Sequence, residues 1–216
     1  MTAASPRSRL SVVSSPTTDN RQPTTSYELI VIGCSLGGLH ALETIIGALP
    51  KDFCVPIVVA QHRHKNSREE LPAYFRRSTH FNVVDADDKQ WMEPGHVYLA
   101  PADYHLLVER GELHLSVDDA VRHSRPSIDV LFESAADAYG PQLISVVLTG
   151  SNEDGARGAK WIKERGGIVV VQDPATAEAP EMPAAVAAMV DVDRILPLEA
   201  IAAFLADVCP AAVSGK

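Results

Sequence analysis

A glycine-rich turn, Gly33-Cys34-Ser35-Leu36-Gly37-Gly38, constrains the fold more than any other part of the sequence. An apolar, β-branched run from Tyr27 to Ile32 precedes it, and apolar residues at helical spacing follow it from Leu39 to Leu49. This order predicts a strand, a tight turn and a helix. Such turns lie at the carboxyl ends of strands, where open α/β sheets bind ligands. The Gly-x-Ser-x-Gly spacing is also that of a nucleophile elbow, which makes Ser35 a candidate nucleophile.

Short apolar runs alternate with helical patterns along the rest of the chain. Further strands are predicted over 56–60, 81–84, 97–100, 143–148 and 168–171, and helices over 67–78, after Ser127, over 156–165, after Met182-Pro183 and after Pro197. Ser67 and Ser127 are the expected N-caps of two of these helices. Strands that alternate with helices predict a doubly wound, mostly parallel sheet with helices on both faces. Residues 106–108 and 113–115 flank a glycine-containing turn and predict an antiparallel hairpin, which we place at the sheet edge.

Composition and charge exclude several classes of protein and of binding partner. We expect one α/β domain over residues 27–209, between a disordered Ser/Thr/Pro-rich tail (1–26) and a short C-terminal tail (210–216). The net charge of −9 argues against nucleic acid and against an anionic membrane surface as partners. No apolar run approaches membrane-spanning length, and the three cysteines have neither metal-site nor disulfide spacing. These features predict a cytoplasmic protein without a metal or other cofactor.

Three chemically complementary residues stand at predicted strand ends: Ser35, His62 and Asp154. A serine hydroxyl needs an adjacent base to act as a nucleophile at neutral pH, and the base needs a carboxylate to orient it. We therefore predict that Ser35, His62 and Asp154 form a catalytic triad. Their order along the chain excludes the α/β-hydrolase fold, in which the acid precedes the histidine.

Each residue of this triad also has a simpler assignment, and two different functions fit the same positions. Taken singly, Ser35 is a turn serine, His62 a hydrogen-bonded strand-end histidine and Asp154 a helix N-cap. The glycine turn also approximates a dinucleotide-binding fingerprint, but it lacks the middle glycine and no acidic residue closes the second strand. A metal-dependent hydrolase is a third alternative, with His62, His64 and Asp154 as zinc ligands.

Ordered sequence blocks along the chain resemble the chemotaxis protein-glutamate methylesterase domain of the CheB type. The blocks are residues 31–38, Gln61-His62, 99–106, 125–132 and 148–156, followed by Gln172-Asp173, Met182-Pro183 and 195–198. The resemblance extends from Tyr27 to about Phe204. It implies a doubly wound parallel sheet with an antiparallel hairpin, and hydrolysis of γ-glutamyl methyl esters on chemoreceptors, often with deamidation of glutamine. It also implies that Ser35 is the nucleophile, His62 the base and Asp154 the residue that orients the base.

The sequence departs from that family around the expected active site. Leu36 stands where the family usually has Thr, and Ser151-Asn152 stands where it usually has Met-Gly. The resemblance implies that the backbone at Leu36 and Ser151 contributes to an oxyanion or substrate site. Arg125 is either a structural cation or a contact for an acidic substrate. These changes bear on the identity of the substrate, and a methylesterase-like interaction domain with weak activity is the alternative function.

The expected partners follow from the same resemblance. The substrate is the cytoplasmic region of a methylated chemoreceptor or a related signalling protein. Family members carry an N-terminal receiver domain, for which the residues before Tyr27 are too few. We therefore expect either regulation through a separate protein or a constitutively active enzyme.

Overall fold

The computed structural model describes residues 27–63 and 70–210, and within them it has ten strands and six α-helices. The strands are β1 (Leu29–Cys34), β2 (Ile57–Gln61), β3 (Asn82–Asp85), β4 (Gln90–Trp91), β5 (His96–Leu99), β6 (His105–Glu109), β7 (Glu112–Ser116), β8 (Leu143–Val147), β9 (Ile168–Gln172) and β10 (Arg194–Leu196). The helices are α1 (Gly38–Ala48), α2 (Leu71–Phe75), α3 (Ile128–Tyr139), α4 (Ala156–Glu164), α5 (Glu181–Met189) and α6 (Leu198–Val208).

Seven strands form one parallel sheet in the order β10-β9-β8-β1-β2-β5-β3. The central strands β1, β2 and β8 are buried along their whole length, as expected for strands with helices on both faces. Helices α1 and α6 pack on one face, and α3, α4 and α5 pack on the other. The predicted doubly wound, mostly parallel sheet is confirmed.

The predicted antiparallel hairpin is present as β6 and β7, but it does not extend the edge of the main sheet. It pairs with β4 to form a separate three-stranded sheet, and β3 occupies the edge of the main sheet. Leu106, Val108 and Leu113 belong to the apolar cluster that also contains the buried face of α3. Because these side chains pack on that helix, the hairpin covers it instead of the sheet edge.

Several predicted boundaries differ from the structure. Helix α2 begins at Leu71 and ends at Phe75, earlier than the predicted end at Ser78, and its expected cap Ser67 lies outside the described residues. The predicted N-terminal tail (1–26) and all but the first residue of the predicted C-terminal tail (210–216) also lie outside them. Ser127 stands at the N-cap position of α3, but its side chain does not cap the helix. None of the helices in the described part of the chain is long and apolar enough to cross a membrane.

The topology places the predicted triad on three neighbouring strands. Ser35 directly follows β1, His62 directly follows β2, and Asp154 lies in the loop between β8 and α4. Strands β2, β1 and β8 are adjacent in the sheet and parallel. The chain changes direction along the sheet between β1 and β8, and open α/β sheets bind ligands at such switch points.

Candidate active site

The backbone of the β1–α1 turn holds Ser35 in place. Its N–H donates to the carbonyl of Thr149 (2.9 Å), and its own carbonyl accepts from the N–H of Gly38 (2.9 Å). Gly37 has a φ of 77°, a left-handed conformation that glycine adopts without strain. The Ser35 hydroxyl makes no hydrogen bond within the described residues and lines an open cleft of about 570 Å³ that His62 also lines. The hydroxyl is therefore free to reach a substrate in this cleft.

A buried glutamine links the turn of the serine to the strand end of the histidine. The Gln61 Nε2 donates to the carbonyls of Ser35 (2.9 Å) and His62 (3.0 Å), and its Oε1 accepts from the Cys34 thiol (2.8 Å). A Cβ at Gly38 would lie 2.2 Å from that Oε1, so this position requires glycine. Burial raises the pKa of the Cys34 thiol, which agrees with a packing role for Cys34. The sequence showed Gln61 only as part of a motif, because a side chain that bridges two turns leaves no local pattern.

His62 and Asp154 form a buried pair. His62 Nε2 lies 2.8 Å from Asp154 Oδ2, and the two side chains are 12% and 1% exposed. Burial by itself raises the pKa of Asp154. The hydrogen bonds from His62 and from the N–H groups of Asp129 and Ile128 outweigh burial, and the net result is a lowered pKa. Asp154 is therefore held as a carboxylate that orients the imidazole and would stabilise an imidazolium.

The same carboxylate caps helix α3. Asp154 Oδ2 accepts from the N–H of Ile128 (2.8 Å), and its Oδ1 accepts from the N–H of Asp129 (2.9 Å) and the hydroxyl of Ser127 (3.0 Å). The expected capping serine therefore donates to the aspartate that does the capping. Asp154 therefore does not occupy the N-cap position of α4, which is Gly155; its carboxylate instead accepts from the first N–H groups of the neighbouring helix α3.

Asp129 makes the reciprocal contact, because its carboxylate caps helix α4, which follows Asp154 in the sequence. Its Oδ1 accepts from the N–H groups of Gly155 (3.0 Å) and Gly158 (2.8 Å) at the start of α4. Its Oδ2 is buried, has no hydrogen-bond partner among the described residues, and lies 3.8–3.9 Å from the Nε atoms of Arg157 and Arg122. Burial raises the pKa of Asp129, and the nearby charge of Asp154 adds to that rise. Asp129 was not recognisable as a site residue in the sequence, where its only signal was its place in the first turn of α3.

The structure brings two of the predicted rim residues close to Ser35. A Cβ at Gly150 would lie 3.0 Å from the Ser35 Cβ, so the segment that leads into Ser151 lies against the serine. The N–H groups of Leu36 and Ser151 make no hydrogen bond within residues 27–63 and 70–210. The Leu36 side chain is 54% exposed, and its carbonyl accepts from the Thr149 hydroxyl (2.8 Å). The N–H groups of Leu36 and Ser151 are therefore unpaired in the described residues, and their part in an oxyanion site stays a prediction.

The Arg125 guanidinium donates more hydrogen bonds within the protein than expected of a residue that contacts a substrate. Its Nε and Nη2 donate to Asp103 Oδ1 (3.1 and 2.6 Å), and its Nη1 donates to the carbonyls of Val117 and Asp118 (2.9 Å each). A guanidinium has five N–H donors, so one remains. Arg125 lines a second cavity, of about 630 Å³, on the far side of His62. Its role as a structural cation is visible, and a contact with an acidic substrate stays a prediction.

The zinc-site alternative finds little support in the geometry. In the described part of the chain, no group of three or more His, Cys, Asp or Glu side chains is arranged to hold a metal ion. The proposed ligand His64 lies outside that part. Both ring nitrogens of His62 are within hydrogen-bonding distance of protein atoms, Asp154 Oδ2 and Asn152 Nδ2. No lone pair of this imidazole is left for a metal in this arrangement.

Comparison with known proteins gives consistent matches over the folded part of the chain. The family model described as CheB methylesterase matches residues 30–205. A protein from Leptospira interrogans, whose name combines protein-glutamate methylesterase and protein-glutamine glutaminase, is 46% identical over 178 residues, which are 82% of this chain and 92% of the relative. Protein-glutamate methylesterase FrzG of Myxococcus xanthus is 40% identical over 192 residues, 87% of this chain and 58% of its own length.

A solved structure matches in three dimensions as well. The CheB methylesterase catalytic domain of Thermotoga maritima superimposes with a TM-score of 0.80 at 35% sequence identity. The match covers 85% of this chain and 99% of that domain.

Proposed function

Because the chain belongs to the CheB methylesterase family, we propose that it hydrolyses γ-glutamyl methyl esters of protein side chains with Ser35, His62 and Asp154 as its catalytic triad. The observation that carries this proposal is the largely buried His62–Asp154 pair (2.8 Å), whose histidine lines the same cleft as Ser35. The names of relatives include protein-glutamine glutaminase, and we extend the proposal to glutamine deamidation. Both reactions attack a γ-carbonyl and differ in the leaving group, methanol or ammonia.

The contacts of His62 support one route for the proton in the proposed reaction. The Ser35 hydroxyl attacks the ester carbonyl, and its proton passes to Nδ1 of His62, because Nε2 is held by Asp154. The tetrahedral intermediate collapses, the C–O bond to the methoxy group breaks, and His62 gives its proton to the departing methanol. Water then attacks the acyl-enzyme with His62 again as base, which releases the glutamate and restores the Ser35 hydroxyl.

Negative charge develops on the carbonyl oxygen of the tetrahedral intermediate. We assign its stabilisation to the N–H groups of Leu36 and Ser151, which have no hydrogen-bond partner in the described residues; Leu36 directly follows Ser35, and Gly150, which precedes Ser151, lies against the Ser35 side chain. Donors that are fixed in place before the reaction stabilise such charge without reorganisation. Ser151 fills this role through its backbone, so its replacement of the family's usual Met leaves the donor in place.

The shape of the cleft suits a side chain presented by another protein. Its rim carries two exposed apolar side chains, Leu36 and Tyr74 (54% and 42% exposed), and one exposed carboxylate, Glu178. We propose the cytoplasmic region of a methylated chemoreceptor or a related signalling protein as the partner, with a separate protein as regulator. The three cysteines are free, in keeping with a reducing cytoplasmic setting.

A methanol-release assay on methylated receptor fragments tests the proposed function. Wild-type protein should release methanol, and the Ser35→Ala variant should lose at least about 1,000-fold in rate, because the nucleophile is gone. Ser116→Ala is a matched control, since that hydroxyl contacts only the exposed Asp118. Ammonia release from the corresponding glutamine fragment tests the deamidase activity in the same samples.

A serine-directed acylating probe separates an enzyme from an interaction domain. An enzyme should be labelled at Ser35, and His62→Gln should slow the labelling, since the base activates the hydroxyl. Wild-type protein that neither releases methanol nor reacts with the probe would favour the interaction domain instead. Full methanol release by Ser35→Ala would exclude the proposed mechanism.

A further inference from the structure

Asn152 lies between the base and the loop of the acid. Its Oδ1 accepts from the backbone N–H of Asp154 (3.0 Å), and its Nδ2 lies 3.3 Å from Nδ1 of His62. His62 Nε2 in turn lies 2.8 Å from Asp154 Oδ2. The contacts form a closed ring of three residues. The family's usual glycine at position 152 has no side chain and could make neither of the Asn152 contacts.

The ring determines where the imidazole proton is. A backbone N–H can only donate, so the Asn152 atom that faces Asp154 N must be the oxygen, and the amide nitrogen must face His62. An amide nitrogen only donates, so Nδ1 of His62 accepts and carries no proton. The proton of the neutral ring is therefore on Nε2, where the Asp154 carboxylate accepts it.

We propose that Asn152 is a positioning residue that, together with the Asp154 carboxylate, holds the His62 ring in the Nε2–H tautomer and in a fixed orientation, with Nδ1 bonded to a donor that the Ser35 hydroxyl can replace. This inference rests on the proposed function, in which Nδ1 is the base. The Asn152–His62 contact, at 3.3 Å, is longer than the His62–Asp154 contact at 2.8 Å. The amide is thus the weaker partner of the ring, and the Ser35 hydroxyl can replace it on Nδ1 when a substrate binds.

The neighbouring side chain does not take part in the ring. Glu153 points away to the surface, 69% exposed, where its carboxylate pairs with Arg122 (3.1 Å). Glu153→Gln removes a charge next to Asn152 without touching the ring of contacts. It is therefore a suitable control for general disturbance of this loop.

Nitrogen-15 NMR of the histidine side chains tests the tautomer directly. The protein has eight histidines, and a His62→Gln spectrum identifies the signals of His62. In wild type and in Glu153→Gln, Nε2 should carry the proton and Nδ1 should have the shift of an unprotonated acceptor. In Asn152→Ala the proton should stay on Nε2 against Asp154, but Nδ1 loses its donor, so its signal should move to that of an acceptor without a hydrogen bond. In Asn152→Asp, which still accepts from Asp154 N–H but cannot donate, Nδ1 should become protonated.

Methanol-release kinetics of the same variants provide the functional measurement. We expect kcat to fall about 10-fold in Asn152→Ala, because the imidazole keeps its contact with Asp154 and loses only the weaker of its two positioning contacts. The fall should be larger in Asn152→Asp, because a protonated Nδ1 cannot take the Ser35 proton. KM should stay within about twofold, since Asn152 acts on the base and not on substrate binding. If Asn152→Asp does not fold, the kinetics of Asn152→Ala alone test the role of Asn152.

The two measurements separate failure of this inference from failure of the proposed function. An Nδ1–H tautomer in wild type, or unchanged spectra and kcat in both Asn152 variants, would overturn the role of Asn152. A wild-type protein with the Nε2–H tautomer but without methanol release would contradict the proposed function and leave the positioning of His62 supported. A fall in kcat with an unchanged His62 spectrum would mean that Asn152 acts on the fold and would also overturn the inference.

Discussion

The two sides of the active site are built in different ways. Ser35 is held by backbone contacts of a glycine turn, and its hydroxyl has no partner among the described residues. Asp154 is 1% exposed and accepts four hydrogen bonds, from His62, Ser127, Ile128 and Asp129. We call the surroundings of Ser35 the nucleophile side and the surroundings of Asp154 the acid side. The nucleophile side is open to solvent and its serine side chain makes no hydrogen bond to the described residues, whereas the carboxylate of the acid side is buried and accepts several.

This difference separates catalysis from stability. Removal of a buried group that satisfies several donors leaves each donor unpaired, whereas removal of a free hydroxyl leaves nothing behind. Side chains of the acid side would therefore serve the fold and the proposed reaction together, through the mutual capping of α3 and α4 by Asp154 and Asp129. Side chains of the nucleophile side can vary with the substrate, and this is where Leu36 departs from the family pattern.

Replacement of the acid should have the largest effect. We expect Asp154→Ala to lower kcat/KM by about 10⁴-fold, because the base loses its orientation. The same change should cost about 3 kcal/mol in the free energy of unfolding, since the buried donors at the start of α3 lose their acceptor. Methanol release and urea unfolding measure the two losses.

Ser35→Ala is the matched variant on the other side. It should lose activity on a comparable scale while its free energy of unfolding stays within about 0.5 kcal/mol of wild type. Equal stability losses in Asp154→Ala and Ser35→Ala would contradict the contrast between the two sides.

The two buried carboxylates of the acid side should respond to pH in opposite directions. Asp154 has a lowered pKa in the folded protein, so its contribution to stability is present above the ordinary carboxyl pKa and is lost as the pH falls through the lower, folded value. Asp129 has a raised pKa, so the folded state binds its proton more tightly, and stability falls as the pH rises from the ordinary value to the raised one.

Urea unfolding between pH 3 and pH 7 measures both directions with two isosteric variants. Asp129→Asn should gain stability relative to wild type as the pH rises, because it has no buried charge to form. Asp154→Asn should be less stable than wild type at neutral pH, and the gap should narrow only at the acid end. Parallel curves for the two variants would mean that the carboxylates do not differ in this way.

Local patterns were enough to predict most of the strands, and the positions of Ser35, His62 and Asp154 at strand ends followed from them. The partners Gln61, Asp129 and Asn152 could not be predicted, because each acts through hydrogen bonds to a distant segment. Two elements also escaped prediction. Strand β4 has two residues and β10 has three, too few to show a period. A sequence pattern shows which face of a single helix or strand is buried. It does not show the hydrogen bonds of this site, because these join side chains from several elements that are distant in the sequence.

The smallest effect should come from the rim of the nucleophile side. We expect Leu36→Thr to leave the free energy of unfolding within about 0.5 kcal/mol of wild type, since the side chain is 54% exposed. Its backbone N–H, the proposed oxyanion donor, is unchanged, so kcat should also be unchanged. KM for the methylated fragment should rise about threefold, because an apolar contact beside the scissile ester is lost. Tyr74→Ser changes another exposed side chain of the same cleft, and its kcat and KM serve as the comparison. A large fall in kcat with constant KM would show that Leu36 acts on the transition state, and the nucleophile side would then be less tolerant than its open structure indicates.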